Sequence, residues 1–60
     1  MFIEITRICG DKVLVNIRQI NRVEDYGEGG VHVYILPNSS IMVTETYKEI
    51  VRLIQEAVDF

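Results

Sequence analysis

Residues 24–34, EDYGEGGVHVY, gather three carboxylates (Glu24, Asp25, Glu28), two tyrosines (Tyr26, Tyr34), His32 and three glycines. That mixture suits a phosphate cradle, a divalent-cation loop or a tight turn. A phosphate cradle sets its glycines between a strand and a helix N-terminus, so that backbone amides and the helix dipole meet the anion. Here the glycines lead into the strand-like run Val31–Val33, GEGG has neither dinucleotide nor P-loop spacing, and the acids repel phosphate. Hard cations take several oxygens at ordered spacing, and these acids with His32 lack that order. A turn is the remaining reading, because short hairpin loops need left-handed backbone and glycine supplies it. Pairing Val23 with Ile35 and Asp25 with Val33 predicts Glu28-Gly29-Gly30 as a three-residue loop.

The other reactive side chains are isolated. Cys9 has no activating base in its strand and is expected as a small buried hydrophobe. Ser39 and Ser40 fall in a turn signal, with the single histidine elsewhere in the pattern, which argues against a hydrolase triad. No nucleophile, base and pocket converge, so we expect no enzyme and no catalytic, cofactor-binding or metal-ligating residue.

The elements that position these residues follow from periodicity. FIEITRIC alternates apolar and polar positions, VLVNI continues after GDK, and residues 2–17 read as a hairpin. Its turn fits Cys9-Gly10, Gly10-Asp11 or a three-residue loop. RQIN reads as a tight polar link, RVEDY as the third strand, VHVYIL as the fourth, PNSS as a turn and IMVT as the fifth. Pro37 presets φ in that turn, and Asn38 or Ser39 tolerates a left-handed conformation. From residue 46 to 58 the period becomes helical: Tyr47, Ile50, Val51, Ile54, Ala57 and Val58 form one stripe, opposite Lys48, Glu49, Arg52, Gln55, Glu56 and Asp59. Thr46 with Glu49 has the form of a capping box, and Thr44 is a second N-cap candidate. The expected fold is α+β: a five-stranded antiparallel sheet, open or barrel-like, with one C-terminal amphipathic helix on one face.

With 60 residues, 48% of them hydrophobic, the chain reads as one small domain. Its core should supply about 3–5 kcal/mol of stability without a disulfide, a metal or a partner chain. Nine acids against six bases give a net charge of −3, contrary to a sequence-independent grip on phosphates. Four of the bases nevertheless fall in residues 1–22 with two acids, which keeps a local basic face open there. One cysteine suits a reducing compartment. The opening MFIEITR lacks a signal-peptide pattern, and no run approaches the ~20 apolar residues of a membrane span. A cytoplasmic location is expected.

If Val13, Val15, Ile17, Val23, Val31, Val33, Ile35, Ile41 and Val43 face the helix, Leu14, Tyr34, Leu36 and Met42 face away, with Phe2, Ile8, Tyr26 and His32. One helix covers one face, so the second face or an edge strand is expected to meet another subunit. The expected interface residues are Leu14, Tyr26, His32, Tyr34, Leu36 and Met42. The partner is a second copy or an unidentified protein.

MFIEITRICGDKVLVNIRQINRVED and VHVYILPNSSIMVTETYKEIVRLI together resemble the small flagellar and swarming-motility protein family of the FlbD type. The corresponding residues are Thr6, Arg7, Gly10, Asn16, Ile20, Val23, Glu24, Val43, Glu45 and Ile50. The resemblance implies a non-enzymatic accessory role in motility. The chain is also similar in architecture to the carbon-storage-regulator RNA-binding family, with Arg7 matching that family's first-strand arginine and Thr44 and Glu45 replacing its second. Residues 20–50 resemble the strand core of LytTR-type DNA-binding domains. Both likenesses imply an alternative, a nucleic-acid-binding regulator working through Arg7, Arg18 and Arg22.

Overall fold

The computed structural model describes residues 1–58. Asp59, assigned above to the polar side of the helix, lies outside the described residues. The order is β1 (Phe2–Thr6), β2 (Lys12–Asn16), a 3-10 turn (Ile17–Gln19), β3 (Ile20–Asp25), a second 3-10 turn (Gly27–Gly29), β4 (Val31–Ile35), β5 (Ser39–Val43) and α1 (Tyr47–Val58). The α+β class and the C-terminal helix are as expected. The single five-stranded sheet is not: β1 and β2 form one antiparallel sheet, and β3, β4 and β5 form another in that order.

The reason lies where β1 meets β5. Only the bridge Arg7↔Val43 joins them, with the Ile8 amide donating to the Met42 carbonyl and the Thr44 amide to the Thr6 carbonyl. Beyond it, Glu45 Oε1 accepts the Thr6 amide at 2.9 Å, so a side chain takes the place of the next ladder bond. The strands part there and the helix fills the angle, packing on β1 and β3.

The first hairpin takes the three-residue alternative. Thr6 pairs with Lys12, the Arg7 amide bonds the Asp11 carbonyl, and Ile8-Cys9-Gly10 is the loop, with Gly10 at φ +102°. Cys9 therefore sits exposed at a loop tip, contrary to the buried position expected. The tight turn expected at RQIN falls at Ile17–Gln19, capped by Asn16 Oδ1, which accepts the Arg18 amide at 3.0 Å, and Ile20 and Asn21 already belong to β3, two residues before the expected start at Arg22.

Two corrections concern the second sheet. Val23 pairs with Val33 and Asp25 with Val31, two residues from the register expected, and the loop is Gly27-Glu28-Gly29. A slip of two leaves every side chain on its face, so hydrophobic pattern is silent about it and turn geometry decides. Gly27 and Gly30 take the positive φ values, +66° and +89°, and Asp25 Oδ1 accepts the Gly27 amide. β5 begins at Ser39, not Ile41, because both serines pair with β4. The turn between is Leu36-Pro37-Asn38, with a cis Leu36–Pro37 bond and neither Asn38 nor Ser39 left-handed.

The core is Ile3, Ile5, Val15, Val31, Val33, Val43 and Ile50, flanked by half-buried Val13, Ile17, Ile20, Val23, Ile35, Ile41, Leu53, Ile54 and Ala57. Every residue assigned to the helix-facing side is among these. Ile20 joins Val23 inside because a bulge at Asn21 inserts one residue between Ile20↔Ile35 and Arg22↔Tyr34, restoring inward phase. On α1, Leu53 belongs to the packed stripe, although the spacing argument omitted it; Tyr47 and Val58 are exposed. Thr46 is the N-cap: its amide donates to Glu49 Oε1 at 2.9 Å, and the Glu49 amide donates back to Thr46 Oγ1 at 3.2 Å. Thr44 instead serves the bridge to β1.

Candidate interaction surface

The outer face of β3, β4 and β5 carries the densest arrangement of functional side chains. Period-two alternation lifts Arg22, Glu24 and Tyr26 to the face opposite the core, and the register sets Arg22 beside Tyr34 and Ser40, and Glu24 beside His32 and Met42. Arg22 Nε donates to Glu24 Oε1 at 2.7 Å, while its guanidinium carbon stands 3.9 Å from the Tyr34 ring centroid. The Tyr26 and Tyr34 hydroxyls lie 2.7 Å apart. His32 meets Tyr26 edge to face at 4.8 Å and stacks on Tyr34 at 6.4 Å between centroids. His32 Nε2 is 3.1 Å from the Gly29 carbonyl oxygen, an acceptor, which requires a proton on Nε2.

These contacts bias the protonation of Arg22, Glu24 and Tyr26. The Arg22 hydrogen bond holds the Glu24 carboxyl below the usual carboxylate range, and the Glu24 bond in turn raises Arg22. The Tyr26 phenol is pushed well above its ordinary value, first by the bond to Tyr34. At neutral pH the face thus presents the Arg22 cation, the Glu24 carboxylate and a neutral Tyr26 phenol. Stacking, cation–π contact and directed charge are the interactions these side chains offer.

The structure gathers four of the six expected interface residues here: Tyr26, His32, Tyr34 and Met42. Leu36 sits at the β4–β5 turn beside the same sheet, and Leu14 lies on β2, in the other sheet opposite Glu4. Tyr26, Leu36, Met42 and Leu14 are 48%, 46%, 37% and 65% exposed, so the helix leaves this side uncovered. The three arginines proposed for nucleic acid stand on three elements. Arg7 is in the first hairpin at the β1–β5 bridge, Arg18 in the 3-10 turn and Arg22 on β3, already engaged by Glu24 and Tyr34. Arg22 and Glu24 were absent from the expected interface set. Their signal was present, since Arg22, Glu24 and Tyr26 share one strand face at period two.

Beside Arg22 and Tyr34 an open groove of about 300 Å³ runs to Pro37, Asn38, Ser39 and Ser40. Among the described residues, no group of three or more His, Cys, Asp or Glu side chains is placed to hold a metal ion. No helix among them is long and apolar enough to cross a membrane.

The FlbD family model, described as flagellar and swarming motility proteins, matches residues 2–58. No curated protein and no solved structure matches the chain.

Proposed function

From the premise that this chain belongs to the FlbD family of flagellar and swarming motility proteins, we propose that it is a non-enzymatic accessory protein of bacterial motility, acting in the cytoplasm as a homo-oligomer. The observation that carries the reading is the uncovered outer face of β3–β4–β5, where Tyr26, His32 and Tyr34 are tied by short contacts, with Tyr26 exposed and His32 and Tyr34 half-buried. Aromatic side chains held in place before binding lose little rotamer freedom on contact, and they are enriched where proteins meet.

Deletion of the gene in its host tests the motility role. Swarming is expected to fall and to return with the wild-type gene, but not with a Tyr26→Ala/Tyr34→Ala variant shown by circular dichroism to fold. Unchanged swarming after deletion would overturn the role. Sedimentation of the purified chain at tens of micromolar tests the oligomer, and a monomer mass would remove it. The nucleic-acid alternative rests on Arg7, Arg18 and Arg22. Binding of RNA or DNA that weakens steeply with salt would favour it, and no binding at low salt discards it.

A further inference from the structure

We propose that the open edge of β3 is a self-recognition edge, on which a second copy of this chain pairs antiparallel about a two-fold axis at Val23, with Arg22 of each copy opposite Glu24 of the other. The inference rests on the homo-oligomeric reading above and names its contact.

The backbone sets the geometry. The Tyr26 amide bonds the Gly30 carbonyl, so the alternation of an antiparallel ladder turns the polar groups of Glu24 and Arg22 toward β4 and those of Val23 and Asp25 outward. Among the described residues, no strand pairs with that outward row. A two-fold axis at Val23 bonds Val23 to its own copy and places residue 22 opposite residue 24 in the close, non-hydrogen-bonded position, where cross-strand side chains interact most strongly.

Charge then selects the register. An axis at Arg22 sets arginine against arginine, one at Glu24 sets glutamate against glutamate, and one at Asp25 sets aspartate against aspartate; like charges opposite each other are destabilising. Only the Val23 axis puts Arg22 opposite Glu24, and it places Asp25 opposite the neutral Asn21. It also lays half-buried Val23 against its counterpart on the core face and joins the two outer faces into one surface. The bulge at Asn21 ends the ladder on that side, so the contact is short and depends on charge. Of the other edges, β2 carries only Lys12 as a charged residue, β1 only Glu4 and β5 none, so charge selects no such register there.

The test is a charge-swap series on the full chain, followed by sedimentation velocity at low and high salt, with folding verified by circular dichroism. Wild type is expected as a dimer that dissociates as salt rises. Arg22→Glu and Glu24→Arg each set like charges opposite and should sediment as monomers. The double variant Arg22→Glu/Glu24→Arg should recover the dimer, and so should an equimolar mixture of the two single variants, even if one of them folds poorly alone. A wild-type dimer that survives both single substitutions overturns the edge and leaves the oligomeric reading standing, as does a dimer lost on Leu14→Asp alone. A wild-type monomer at low salt overturns both.

Discussion

At the scale of single residues, glycine in the second hairpin is a matter of backbone. Gly30 combines φ +89° with ψ −179°, a region essentially closed to residues with a Cβ. A methyl added there would meet only the Met42 side chain at 3.5 Å, an ordinary contact, so Gly30→Ala is penalised by conformation rather than by crowding. We expect it to cost about 1–3 kcal/mol in urea unfolding. Gly29→Ala, at a residue without positive φ but with its added Cβ 3.1 Å from Tyr26 Cβ, should cost less. The turn reading of EDYGEGGVHVY was legible from the sequence, as was the face on which Tyr26, His32 and Tyr34 stand. Which glycines bend the chain was not, because a two-residue slip conserves the inside–outside pattern. Nor was the exposure of Cys9, whose position follows from which of three loops the first hairpin adopts.

At the scale of elements, the helix start is the most predictable joint. Thr46 and Glu49 satisfy each other's amides, and those bonds hold the Glu49 carboxyl below its ordinary value of 4.5, the Thr46 amide contributing most. A depressed carboxylate stabilises the fold fully above its unfolded value and loses that contribution as pH falls through the lower folded value. Glu49→Gln should therefore lower the thermal midpoint at neutral pH, and the gap to wild type should close as the solution is acidified below 4.5. Thr46→Ala should cost about 1 kcal/mol near neutral pH. Several positions that carried the family resemblance prove to be joints of this kind. Asn16 caps the turn into β3, Gly10 closes the first loop, Arg7 and Val43 bridge the sheets, and Glu45 holds the Thr6 amide. Such residues are hard to assign from periodicity, since a joint has no period. The beginning of β3 shows the same difficulty: Ile20 and Val23 cannot both face inward on a regular strand, and only the bulge at Asn21 lets them.

At the scale of the whole molecule, stability rests on few residues. Ile5, Val33 and Ile50 are the fully buried large side chains. Truncating Ile5 to alanine should cost about 2–5 kcal/mol, comparable with the whole of what so small a core supplies, so Ile5→Ala is expected to be largely unfolded at room temperature. Ile5→Val should remain folded with a loss of about 1 kcal/mol, and far-UV circular dichroism distinguishes the two outcomes. Most of the inward set of strand residues was readable because alternation determines it; Ile20 was not, since it faces inward only through the bulge at Asn21. The division into two sheets was not, because it depends on Glu45, a residue outside any strand, taking a ladder position by side chain.

That division makes Thr6 the spine of a book. Its carbonyl is held by the Thr44 amide and its own amide by the Glu45 carboxylate, and the two ladders are its covers. Opening there requires breaking three hydrogen bonds, those of Ile8, Thr44 and Thr6, while every rung within each cover stays closed. The pages so exposed are Ile3 and Ile5, so an opening at the spine brings water to the interior while both covers keep their ladders.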